Sequence, residues 1–191
     1  MSREPSKVAP GASYRLSGGS GSRQRRSLDD GLFVRFPALY RRIAEKTMRL
    51  SPGSPLRRRL LMRLVRHSYA AANRRDFDLL LTGLDPEFEF RPRGSLIAAD
   101  LDAVVRGREG YARVWQRTLD AFEDLHIEPE ECLDLGDKLL LTLRFEAHGS
   151  GSGVPVSQRV FQLLELRRGL VSRVEDFANR AEAVEAAGLS E

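Results

Sequence analysis

Hydrophobic positions recur at helical spacing in the first half of the chain and alternate in the second. Leu32, Phe36, Leu39, Tyr40, Ile43 and Leu50 return every three or four residues, which predicts a helix over 32–50. The run Ser51-Pro52-Gly53-Ser54-Pro55 breaks it. Ser54 then offers an N-cap, and Pro55 occupies a first helical position, where its missing N–H costs nothing. The next helix runs from Pro55 to about Asn73. Leu56, Leu60, Leu64 and Ala71 lie near one stripe, and Arg57, Arg58, Arg59, Arg63 and Arg66 crowd the remainder. Asp76 caps a short helix, Phe77 to Leu84, and a turn at Asp85-Pro86 leads into the alternating strand Glu87-Phe88-Glu89-Phe90.

Residues 94–102 read as a loop. Gly107 to Phe122 returns to helix, with Tyr111, Val114, Trp115, Leu119 and Phe122 on one side. Strands follow at His126–Leu133, Lys138–His148, Val154–Leu166 and Leu170–Phe177, with turns at Gly136-Asp137, at residues 149–153 and at Arg168-Gly169. Residues 180–187 close the chain as a helical turn or two. Helices, a strand, a helix and then a meander predict an α+β fold, a sheet with helices on one face.

Composition refines this picture. A length of 191 residues suits one domain with a hydrophobic core and an appendage. The single Cys132 excludes an internal disulfide and a cysteine-based zinc site, and reads as a small buried hydrophobe. No apolar run approaches the ~18 residues of a membrane helix, and the N-terminus has no signal-type segment, so a cytoplasmic protein is expected. Residues 1–30, rich in Gly, Ser and Arg, are expected to be disordered, because they offer too little apolar area to offset chain entropy.

The net charge of +4 conceals a division, with residues 1–75 at +14 and residues 76–191 at −10. Basicity confined to one end does not predict a nucleic-acid binder. The arginines of residues 56–66 are matched by Glu123, Asp124, Glu128, Glu130, Glu131 and Asp134 in the acidic half. An intramolecular or dimer contact is therefore the favoured reading, with peripheral contact to an anionic surface the alternative.

Four segments carry a family resemblance: VRHSYAAANRRDF (65–77), DPEFEF (85–90), GREGYARVW (107–115) and EDFANRAEAVEAAG (175–188). Together they resemble the SnoaL-like group of the nuclear transport factor 2-like superfamily. The resemblance covers about residues 56–188 and implies a cone of curved antiparallel sheet around a pocket. It leaves residues 31–55 as an added helical arm and breaker. The superfamily includes isomerases, cyclases, epoxide hydrolases and plain binders, so fold alone does not choose an activity.

Carried over position by position, the resemblance argues against isomerase chemistry. The helical tyrosine of ketosteroid isomerases falls on Ser68, with Tyr69 beside it. Their proton-shuttling aspartate falls on Phe90, and their acidic oxyanion donor on Phe161 or Gln162. Proton abstraction next to a carbonyl needs a base and a donor, and a phenyl ring is neither. The epoxide-hydrolase pattern survives in part. Arg159 in SQRVF (157–161) matches an arginine and Asp176 the second aspartate, whereas Phe161, Phe88 and Phe90 replace the other polar residues.

The candidate catalytic pair is thus Asp176 with Arg159, if Arg159 faces inward as the resemblance implies. Alternation alone allows Val160 and Leu164 the inner face equally well. The candidate pocket residues are Tyr69, Phe88, Phe90, Trp115 and Phe161, an aromatic lining suited to a hydrophobic ligand. His67, His126 and His148 show no ligand spacing, so neither metal nor cofactor is expected. The expected function is binding of a small hydrophobic molecule by a homodimer. The alternatives are an isomerase, cyclase or epoxide-hydrolase type of enzyme using Asp176 and Arg159, and an interaction module docking through its basic arm.

Overall fold

The computed structural model describes residues 12–15, 27–93 and 104–189. The chain runs β1 (Ala12–Arg15), α1 (Leu28–Arg35), α2 (Pro37–Arg49), α3 (Pro55–Asn73), α4 (Phe77–Thr82), β2 (Leu84–Arg93), β3 (Val105–Arg106) and α5 (Gly107–Ala121). It continues through β4 (Phe122–Asp134), β5 (Lys138–Gly149), β6 (Pro155–Arg167), β7 (Leu170–Phe177) and α6 (Arg180–Ala186). The described strands form one sheet in the order β1-β4-β5-β6-β7-β2-β3. The fold is α+β, and the sheet is mixed rather than antiparallel. β2 and β7 pair in parallel, with Phe90 opposite Val174 and Pro92 opposite Asp176. Tight turns make β4–β7 antiparallel. β2 meets β7 only after α5 and three hairpins, so no turn dictates its direction.

The sheet buries both faces. On one, Leu139, Leu141, Leu143, Phe145 and Ala147 of β5 join Val160 and Leu164 of β6 and Val174 of β7 under α3 and α5. On the other, Leu140, Leu163 and Phe177 pack against Ala183 and Val184 of α6, a second covered face that the chain's hydrophobic pattern does not announce. The β6–β7 turn has positive φ at both Arg168 and Gly169, the geometry of a two-residue hairpin.

Three expectations for the N-terminal region are corrected. The helix expected over 32–50 is two helices meeting at Phe36, which caps both and has φ −128° and ψ 72°. The cause is Pro37, which has no N–H to donate and disfavours helical backbone at the residue before it. Next, α1 begins at Leu28, inside the segment expected to be disordered, with Ser27 and Asp30 forming a reciprocal capping box. Finally, residues 12–15 pair with β4, and the Tyr14 side chain is buried with Arg58 stacked over its ring. The loop expected at 94–102 and the other residues of 1–26 lie outside the described residues.

One arginine joins the N-terminal helices to the body. Arg57, fully buried at the start of α3, donates from Nε and Nη2 to the two carboxylate oxygens of Asp134, both at 2.7 Å. Its remaining N–H groups donate to the carbonyls of Met48, Leu50 and Gly136. All five donors are thereby used, the condition under which a buried guanidinium is tolerated. The expected match between the arginine-rich helix and the acidic half is realised in this pair. Arg63 instead pairs with Asp29 of α1.

Candidate functional site

Between α2, α3 and α5 and the inner face of the sheet lies a cavity of about 100 Å³. Alternation along β5 and β6 makes its floor apolar, from Leu139, Leu141, Leu143 and Leu164. Its roof is Leu61, Val65 and Ala72 of α3 together with Tyr40, Ala44 and Met48 of α2. The roof sits low because Gly169 has no side chain. A Cβ there would fall 2.6 Å from the carbonyl carbon of Ala44 in the backbone of α2.

Polar groups meet at two places in the wall. At one, the Tyr40 hydroxyl is hydrogen-bonded to Ser68. The other is built on α3, β6 and β7. Tyr69, eight residues into the inner stripe from Leu61, donates its hydroxyl to Gln162 Oε1 at 2.5 Å, and Gln162 Nε2 donates to Asp176 Oδ1 at 2.7 Å. The amide orientation follows from its neighbours, since a carboxylate needs a donor and only the NH₂ end supplies one. Asp176 is 1% exposed. Burial, together with the nearby Tyr111 hydroxyl and Asp176 carboxylate, pushes the Tyr69 hydroxyl well above its ordinary pKa. Burial and then the Asp176 charge raise that of Tyr111. Both phenols are therefore neutral donors at any physiological pH.

Trp115 completes the wall. It stands edge-on to Tyr111 with ring centroids 6.3 Å apart, and its buried indole N–H meets the Tyr111 hydroxyl in poor hydrogen-bonding geometry. A weakly paired buried donor can still be taken over by a better acceptor.

Of the residues singled out in the sequence, Tyr69, Trp115 and Asp176 line the cavity. Four do not. Phe88 and Phe90 are fully buried behind Tyr111, with centroids 4.9 and 5.3 Å from its ring, and support the wall without forming it. Phe161 lies on the opposite sheet face in the cluster against α6. Arg159 is 64% exposed at its side chain and donates to Glu130 at 2.8 Å. The pairing of Asp176 with Arg159 is therefore overturned. Gln162 is the direct register partner of Asp176, and Arg159, an odd number of residues away, must point to the other face. Val160 and Leu164 hold the inner face instead.

Gln162 and Tyr111 also line the cavity; neither was among the candidate site residues, although the resemblance put an isomerase position on Phe161 or Gln162. The signal was present in Val160-Gln162-Leu164, where one amide interrupts an inward-facing apolar alternation. The remaining conspicuous polar residues are structural. Asn73 closes two hydrogen bonds with the backbone of Ile127. Burial and the Asp134 charge push the Cys132 thiol up to about 12. Among the described residues no group of His, Cys, Asp and Glu is arranged to hold a metal ion.

Residues 65–174 match the SnoaL-like domain family. The chain belongs to this family. Solved structures agree on the fold. TerC co-crystallized with polyporic acid superposes with a TM-score of 0.55 at 20% identity, over 66% of this chain and 97% of TerC. RV0760c from Mycobacterium tuberculosis, in complex with estradiol-17beta-hemisuccinate, gives 0.53 at 15% identity, over 63% and 94%. A protein with a ketosteroid isomerase-like fold from Catenulispora acidiphila, in complex with trimethylamine, gives 0.53 at 20% identity, over 66% and 93%. Comparison with curated proteins yields no match. The family match begins at Val65, within α3. The whole of α1 and α2, including Tyr40, Ala44 and Met48 of the cavity roof, lies before the matched segment.

Proposed function

We propose that the cavity binds one small, mainly apolar molecule carrying an oxygen acceptor. The observation that carries this reading is the three-residue chain Tyr69–Gln162–Asp176, a hydrogen-bonded polar string in a largely apolar wall. Apolar walls supply affinity, and a few fixed polar groups supply orientation. The Trp115 N–H and the Tyr111 hydroxyl beside it are the donors offered to such an oxygen. The fold's appearance with polyporic acid in TerC and with estradiol-17beta-hemisuccinate in the mycobacterial protein supports an organic ligand. The volume favours a small one, since about 100 Å³ is less than the ~150 Å³ that holds benzene in an apolar cavity.

The test is native mass spectrometry of the purified protein, followed by calorimetric titration with small ketones and alcohols. Saturable binding that Trp115→Phe weakens about tenfold is the expected result. Binding unaffected by Trp115→Phe and by Gln162→Leu would remove the cavity from consideration.

A second reading makes Asp176 a general base. Its buried carboxylate at the cavity wall favours this, and Gln162 rather than Arg159 would position it. On a turned-over substrate, Asp176→Asn should abolish activity while retaining binding. Unchanged turnover would eliminate the role.

A further inference from the structure

The solvent side of α1–α3 combines exposed apolar side chains with unneutralised positive charge. Among the described residues the large exposed hydrophobics are Leu28, Leu32, Phe36, Leu56, Val104 and Val154, and the first four belong to this layer. Leu28, Leu32 and Phe36 are spaced by four, so they form one stripe along α1 and its cap, 95%, 43% and 51% exposed. The stripe is not a core face left open. The inner side of α1 is occupied by Phe33 in the core with Tyr40, and by Asp30, which is held by His67 and Arg74.

The charge around it is one-sided. Between Ser27 and Arg66 the acidic residues are Asp29, Asp30 and Glu45; Asp30 is buried, and the other two pair with Arg63 and Arg49. Arg41, Arg42, Arg59 and Arg66 are exposed and have no carboxylate partner among the described residues. Arg35 lies beside the stripe, its guanidinium 5.9 Å from the Phe36 ring centroid. A second copy docked through this same layer would bring like charges together, and a purely anionic polymer would leave the leucines in water. An anionic bilayer satisfies both features, because lipid headgroups take arginines while the boundary beneath takes apolar side chains.

We propose that the N-terminal helical layer docks on a membrane surface rich in anionic lipid, with Leu28, Leu32 and Phe36 entering the headgroup–acyl boundary. No described helix is long and apolar enough to cross a membrane, so the contact is peripheral. The layer is one helix thick over the cavity, since the inner side of α2 supplies Tyr40, Ala44 and Met48 to its roof. The inference does not depend on the ligand or on any catalysis.

The experiment is co-sedimentation of the full chain with phosphatidylcholine vesicles, with and without phosphatidylserine, at low and high salt. Binding should require phosphatidylserine and fall several-fold at high salt. Leu32→Ser/Phe36→Ser should lower partitioning about tenfold or more, and Arg59→Glu/Arg66→Glu by a similar factor. Melting temperatures should stay near that of the unaltered chain. Should the serine pair fail to fold, the arginine pair, on the exposed face of α3, decides alone. Absence of phosphatidylserine-dependent binding overturns the proposal. So does binding that survives both pairs, or a dimer that the serine pair dissociates while the unaltered chain ignores vesicles.

Discussion

Gln162 on β6 and Asp176 on β7 are register partners, and their 2.7 Å hydrogen bond joins two strands across the wall of the cavity. Tyr69 adds α3 to the same string. One amide thus ties helix to sheet while satisfying a buried carboxylate. Gln162→Leu leaves both Asp176 and Tyr69 without this partner, and chemical denaturation should show a loss of about 1–3 kcal/mol. Gln162→Glu differs in sign with pH. Two carboxylates sharing a buried site raise a folded-state pKa, so the stability they allow is present at low pH and lost as pH rises through that pKa. Its deficit should be smaller at pH 5 than at pH 8, and an equal deficit at both would contradict the arrangement.

The Arg57–Asp134 pair predicts a larger effect. Arg57→Met strands a fully buried carboxylate and should cost about 3–5 kcal/mol. Arg57→Met/Asp134→Leu removes the stranded charge as well, and urea melts should recover part of the loss. A double variant no better than the single would mean that the carbonyls of Met48, Leu50 and Gly136, rather than Asp134, are the main partners.

Gly169 tests the seating of α2 on the β6–β7 turn. Its φ is +80°, and an added Cβ presses on the α2 backbone at Ala44 and Glu45. Gly169→Ala should cost at least about 2 kcal/mol by combining backbone strain with a clash that no side-chain rotation relieves. Hydrogen exchange should report the damage first in α2, since its displacement opens the cavity roof.

Acid should loosen α1 and the start of β2. Burial pushes the Asp30 carboxyl up, but hydrogen bonds from His67 and the Ser27 N–H, with the Arg74 charge, outweigh it and lower its pKa. The Arg167 hydrogen bond lowers that of Asp85 against its burial. Both folded values lie below the unfolded one of about 4, so the stabilisation is complete above about pH 4 and disappears as pH falls through the folded values. Asp30→Asn should be less stable than the unaltered chain at pH 7, with the gap closing at pH 3. A gap independent of pH would contradict the role given to Asp30.

Much of the architecture was legible because local patterns carry it. Ser54-Pro55 starts α3 and Asp76 caps α4, and the Leu139–Ala147 alternation is a buried face of β5. Pro37 was equally legible, and its neglect merges α1 with α2. The candidate site was legible by halves. Tyr69, Trp115 and Asp176 are polar or aromatic residues on elements whose inner faces periodicity and resemblance identify. Arg159 and Phe161 were misplaced because a single residue of register transfers a strand side chain to the other face, and a stretch rich in apolar residues on both sides leaves that register open.

By itself the sequence determined the α+β class, the SnoaL-like membership, and a basic first part joined to an acidic body. Local periodicity, capping and composition act over a few residues and do not depend on what lies across the core. Only the tertiary structure decided that Gln162 joins Tyr69 to Asp176, that β2 runs parallel to β7, and that Arg57 turns charge asymmetry into one buried clamp. These are contacts between residues far apart in the chain. They are set by strand register and by the requirement that each buried donor and acceptor find a partner, and neither condition is written in local pattern.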